Sequence, residues 1–205
     1  MIFSDRIKAA LGAIALCASS AAHAGALTVN VVDAAGKPLL DAVALLEPAN
    51  GKVAVKPMPD VEISQAKRQF SPRVTLITVG TRATFPNFDT VRHHVYSFSP
   101  AKTFELKLYA GVPTAPVTFD KPGVAVLGCN IHDTMAAWVV VADTPWFARS
   151  GADGRARIDA VPAGNYRLRV WHPGLPVNTE PTPVAISIGA ADLEQRAQLS
   201  VAALP

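Results

Sequence analysis

From Leu27 onward the chain is a succession of short apolar–polar alternations. Each is cut off by Gly, Pro, Asp or Asn before it can lengthen. Leu27-Thr28-Val29-Asn30-Val31-Val32 alternates with period two and runs into Asp33-Ala34-Ala35-Gly36-Lys37-Pro38, a turn. Comparable segments lie at 42–46, 74–79, 95–98, 104–109, 117–119, 124–127, 138–141, 155–158, 166–171 and 184–188. The 17 prolines and 13 glycines supply the breaks; they interrupt both ladder and helix hydrogen bonding. Period two sends successive side chains to opposite faces of a sheet. Many short strands at such spacing predict an all-β protein, a sandwich or a barrel. A helical period survives only at 190–197, and a short helix is expected there.

The first residues predict an export signal. Arg6 and Lys8 precede an apolar run at 9–18, and Ala22-His23-Ala24 is a small-x-small cleavage site. The run is about half the length that a bilayer span requires. A mature chain starting at Gly25 in the periplasm is expected, with no transmembrane segment after cleavage. Leu16, where a small residue would be needed, speaks against lipidation of Cys17. The formal net charge is +3, falling to +2 once Asp5, Arg6 and Lys8 leave with the signal. The basic residues are scattered, which argues against a nucleic-acid partner.

Of the two cysteines, only Cys129 remains after cleavage. It has no internal disulfide partner, so it is a buried thiol, an intermolecular bridge, or a ligand or nucleophile. Its surroundings narrow the choice. Gly128-Cys129-Asn130-Ile131-His132-Asp133-Thr134-Met135 lies between two predicted strands, so Cys129, His132 and Met135 share one short loop. Thiolate, imidazole and thioether are a copper-preferring set, and a blue-copper site adds a second imidazole. Asn87-Phe88-Asp89-Thr90-Val91-Arg92-His93-His94-Val95 offers two adjacent candidates, and the pleat allows one of them to face the loop.

This segment resembles the cupredoxin pattern N-x-D-x-x-x-H-x-V, on which His93 is the ligand and His94 the alternative. The resemblance extends over residues 61–145. The order of one His midway, then Cys, His and Met on a late loop, is similar to plastocyanin and amicyanin. The spacing C-x2-H-x2-M looks most like amicyanin. It implies a Greek-key sandwich holding copper through His93, Cys129, His132 and Met135, with Asn87 and the backbone after His93 as candidate supports. Trp171-His172-Pro173 resembles periplasmic cupredoxin-domain proteins labelled methylamine utilisation proteins; His172 itself is expected to be structural.

The flanks carry a second resemblance. Residues 31–39, then Asp153-Gly154-Arg155 and Pro162-Ala163-Gly164-Asn165-Tyr166, are similar to a carboxypeptidase-regulatory-like (transthyretin-like) sandwich. The expected organisation is a signal at 1–24, a cupredoxin domain at 61–145, and a discontinuous second sandwich at 25–60 and 146–205. The function implied is a periplasmic copper protein passing single electrons to a redox protein. The alternative is a copper accessory protein serving a copper-trafficking partner. An enzyme is not expected, because multicopper sites need additional His ligands, often as H-x-H pairs, which this sequence lacks.

Overall fold

The computed structural model describes residues 24–113, 115–177, 179–202 and 204. The export-signal reading and Cys17 fall on residues 1–23, outside the described part. Every regular element among the described residues is a strand: β1 (Ala24–Asp33), β2 (Val43–Pro48), β3 (Val61–Glu62), β4 (Ser64–Ala66), β5 (Gln69–Ser71), β6 (Val74–Thr78), β7 (Arg82–Thr84), β8 (His93–Ser99), β9 (Lys102–Tyr109), β10 (Val117–Thr118), β11 (Gly123–Gly128), β12 (Ala136–Ala142), β13 (Trp146–Arg149), β14 (Arg155–Pro162), β15 (Gly164–Trp171), β16 (Val184–Ile188) and β17 (Leu193–Leu199). The protein is all-β. No helix among these residues is long and apolar enough to cross a membrane.

The helix expected at 190–197 is not there. Leu193–Leu199 is instead a strand pairing in parallel with β1, from Leu27↔Leu193 to Asp33↔Leu199. Leu193 and Ala197 stand four apart, which fits a helical face and a strand face equally. Leu199 continues period two, and the burial of β17 alternates accordingly.

Two cores organise the strands. One is built from Leu27, Val29 and Val31 of β1, Ala44 and Leu46 of β2, Ile158 of β14, and Tyr166 and Leu168 of β15. It fills the space between the sheet β14-β1-β17 and the sheet β13-β2-β15-β16. The other contains Ile63, Ile77, Phe85, Val95, Phe119, Leu127, Cys129, Met135, Val139 and Val141. It lies under the five-stranded sheet β6-β12-β11-β8-β9, faced by the sheet β10-β7-β3 and the β4–β5 hairpin.

A third cluster joins the two bodies. Val43 and Trp171, from β2 and β15, pack on Val74, Trp138 and Val140 of the five-stranded sheet. Strand β12 is therefore buried on both faces: Ala137, Val139 and Val141 point into one core, Trp138 and Val140 into the junction. That explains its unbroken apolar sequence, which a half-exposed strand would not carry. Complete burial of each Val contributes roughly 1.5–3 kcal/mol, so β12 is a firm frame for whatever is attached to its start.

His172 closes the junction. Its Nε2 lies 3.1 Å from the Leu40 carbonyl, and the Gly174 N–H donates to its Nδ1 at 3.0 Å. The ring is neutral, with its proton on Nε2. Burial lowers its pKa, opposed by the Leu40 carbonyl and Asp41 and assisted by Arg73. The unfolded chain then binds more protons below the ordinary value of about 6.5. Stability is complete above that pH and declines as pH falls from it toward the folded pKa. We expect thermal unfolding of wild type to lose stability between pH 7.5 and 5, and His172→Gln to show a shallower slope. The difference is bounded at about 1.4 kcal/mol per pH unit for one proton; identical slopes would refute the assignment.

The turn between β4 and β5 consists of Lys67 (φ 54°) and Arg68 (φ 58°), both left-handed. Two positive φ values define the hairpin turn that ordinarily selects Asn-Gly. Non-glycine residues there cost about 1–2 kcal/mol each. Arg68→Gly should raise stability to chemical denaturation by about 1 kcal/mol.

Candidate metal centre

Strand β8 decides which histidine faces inward. His93, Val95, Ser97 and Ser99 are buried on the core side, whereas Tyr96 and Phe98 alternate outward. His93 stands opposite Tyr109 of β9. Cys129 directly follows Gly128, the last residue of β11, and Met135 directly precedes Ala136, the first of β12. The connecting loop is tightened by Met135 N–H donating to the His132 carbonyl at 2.9 Å. Gly128 is required by packing: a Cβ there would stand 2.7 Å from the Tyr96 ring.

The structure brings three of the four expected residues together as donors. One atom each of His93, Cys129 and His132 lie within 4.8 Å of one another. Cys129 Sγ is 3.7 Å from His93 Nδ1 and 4.0 Å from His132 Nδ1. The imidazole rings stand 5.0 Å apart at 57°. Donors at bond lengths of about 2.0 Å for nitrogen and about 2.3 Å for sulfur, set at 120° around one ion, would stand about 3.7 Å apart. The two sulfur–nitrogen spacings are therefore close to those of donors that share one ion. One thiolate and two imidazoles are the equatorial set that copper takes. His93 is fully buried, Cys129 nearly so, and His132 is half-buried beside exposed Ile131. Met135 is fully buried in the same core as Cys129, and the two line the same cleft.

His94 is directed elsewhere. Asn130 Nδ2 donates to its Nδ1 at 2.6 Å, and its Nε2 lies 3.0 Å from a Glu105 carboxylate oxygen at an angle that makes no hydrogen bond. His172 has both nitrogens engaged by backbone and is not part of the group. Asn87, expected as a support, does not bond the sulfur. Its Nδ2 donates to the carbonyls of Val91 (2.9 Å) and Tyr109 (3.0 Å), and its Oδ1 accepts from Asp89 N–H at 2.9 Å. It holds the loop 87–91 in shape.

Three residues that the sequence reading gave no role complete the surroundings. Asp89 Oδ2 lies 2.8 Å from His93 Nε2 and takes the Arg68 N–H at 2.9 Å; Oδ1 takes the Lys67 N–H at 2.6 Å. The Arg68 N–H is the main reason its carboxyl sits below the usual range; desolvation opposes, and His93 and the Lys67 N–H assist. Tyr109 O–H donates to the Phe85 carbonyl at 2.6 Å and accepts from Gln65 Nε2. Burial pushes Tyr109 up to about 12, the Gln65 bond opposes, and the nearby Cys129 adds to the rise. Gln65 is fully buried, and its Oε1 has no hydrogen-bond partner. Asp89 was visible as the D of N-x-D, but its role depends on a hairpin that no turn residue marks.

The family model described as polysaccharide lyase family 4, domain II, matches residues 144–192, well short of half the chain. No curated protein matches. Among solved structures, the chain is similar to a purple cupredoxin from Nitrosopumilus maritimus (23% identity, TM-score 0.35, covering 41% of this chain and 99% of that one). It is similar to a pseudoazurin from Sinorhizobium meliltoi (21%, TM-score 0.33, covering 43% and 77%). It is also similar to amicyanin from Paracoccus versutus (17%, TM-score 0.34, covering 42% and 91%). TM-scores this far below 0.5 carry no weight of their own, and the site stands on its own geometry.

Proposed function

We propose that this chain is an exported type 1 copper protein that carries single electrons between redox partners in the periplasm. The carrying observation is the buried group of one thiol sulfur flanked by two imidazole Nδ1 atoms at 3.7 and 4.0 Å. In this reading His93, Cys129, His132 and Met135 would hold the copper, residues 61–145 would form the copper-binding domain, and residues 25–60 with 146–205 would form the sandwich that braces it. The resemblance of Asn87 to Val95 and of the Cys129–Met135 loop to the cupredoxin sequence pattern supports the reading; the methylamine-utilisation label adds no partner.

Copper bound there would supply reversible one-electron chemistry. The protein residues would do the rest. Cys129 would give up its proton on metal binding. His93, closed off from water, would keep one side of the centre dry. His132, half-buried at the loop surface beside Ile131, would offer its ring edge to a partner. The strands on either side of the loop hold the donors in place, so little moves when charge changes.

Adding Cu(II) to the protein should produce an intense visible thiolate-to-copper band and a narrow copper hyperfine splitting, with a reversible one-electron wave in redox titration. Cys129→Ser should abolish the band. A wild type that binds only Cu(I), stays colourless and passes the metal to a chelator would replace the carrier with the copper-accessory reading. Absence of binding in either oxidation state would sink both.

A further inference from the structure

Asp89 stands where three donors converge. The Lys67 N–H reaches Oδ1, and the Arg68 N–H and His93 Nε2 reach Oδ2. Lys67 and Arg68 are the two left-handed residues of the β4–β5 turn, and that turn points its successive N–H groups at this one carboxylate. The carboxylate is also held from its own side. Asp89 N–H donates to Asn87 Oδ1, and Asn87 Nδ2 ties the loop to Val91 and to Tyr109 on β9. Asp89 is thus fixed by two elements, a hairpin turn and a loop, independently of His93.

Such a carboxylate is an acceptor only. Its contact with His93 therefore requires the proton on Nε2. In the neutral ring the other nitrogen, Nδ1, then carries the lone pair, and it faces Cys129 Sγ at 3.7 Å. Which imidazole nitrogen can bind a metal is set by the hydrogen bond that the other one makes. We propose that Asp89 is a positioning residue: clamped by the Lys67–Arg68 turn, it holds His93 in the Nε2–H tautomer, so that Nδ1 is presented to the centre before any metal arrives. The proposal rests on the copper reading for its purpose, but not for its tautomer.

Asn at this position cannot do the same. It brings one oxygen and one N–H2 group to three donors. Either the amide N–H2 opposes a turn N–H, or it faces His93 Nε2 and drives the ring proton to Nδ1. Glu keeps the charge and both oxygens, displaced by one methylene.

The test uses the full-length mature chain, metal-free and 15N-labelled, in long-range 1H–15N spectra of the imidazoles. Wild type should show His93 with protonated Nε2 and unprotonated Nδ1. Asp89→Asn should shift His93 to the Nδ1–H form or to a mixture, and weaken Cu(II) binding about 10- to 100-fold. Asp89→Glu should recover much of both. A wild-type His93 carrying its proton on Nδ1 overturns the proposal, and that spectrum needs no variant to fold. So does Asp89→Asn with unchanged tautomer and unchanged affinity. A wild type with the expected tautomer that takes up no copper leaves the positioning role standing and removes the electron carrier.

Discussion

The pleat of β8 is the constraint on which the centre depends. Adjacent strand residues must point to opposite faces, so His93 and His94 cannot share a role. The inward partner meets Cys129 and His132; the outward one meets Asn130. Asn130 is the residue after Cys129, so one strand grips the loop from both sides of the sheet. Two residues along β8, Tyr96 covers Gly128 so closely that no side chain fits there. Three positions on one strand thus fix where the loop leaves β11 and how its thiol is aimed. An ion would meet donors whose separations are set by the ladder, not by the ion.

The exit of the loop is fixed by other means. Strand β12 is wedged between its own core and the junction cluster around Trp138 and Trp171. Strands β1 and β2 pair only with β13 to β17, so the chain on either side of the central sandwich closes on itself. The second sandwich then buries the outer face of the sheet from which the loop springs. In a lone sandwich that face would meet water, and β12 would alternate apolar with polar. Here it is apolar throughout, and its start is correspondingly rigid. Among the described residues the bracing body contributes no donor to the centre, yet it stiffens one of the two strands that carry the loop.

The long strands and the Cys–His–Met loop were legible because both write themselves into short sequence windows: period two for the strands, soft ligands at close spacing for the loop. The choice between His93 and His94 was not legible from the pleat alone. Alternation says that they diverge, not which one turns inward. Strands β3, β4, β5 and β7 span two or three residues each, too few to show a period. The β4–β5 turn was hidden further, because Lys and Arg occupy left-handed positions where Gly or Asn would announce a hairpin. Everything that depends on that turn, Asp89 first, was therefore out of reach. At 190–197, residues four apart fit two periods, and the strand pairing with β1 decided between them.

The unsuitable turn and the carboxylate explain each other. Two left-handed side-chain-bearing residues are an outlay of about 1–2 kcal/mol each. A hydrogen bond to a charged group contributes about 1.5–3 kcal/mol, and the turn makes two of them to Asp89. The turn is thus stable in this conformation largely because the carboxylate is there. The carboxylate keeps its place largely because the turn is there. His93 is the third party to that arrangement: the same oxygen that accepts from Arg68 also faces its Nε2. A change that loosens the hairpin would loosen the ring, and one that neutralises Asp89 would release both. Local backbone stability and the orientation of one metal-facing imidazole are in this way a single property, carried by a residue that lies outside the loop that holds the thiol.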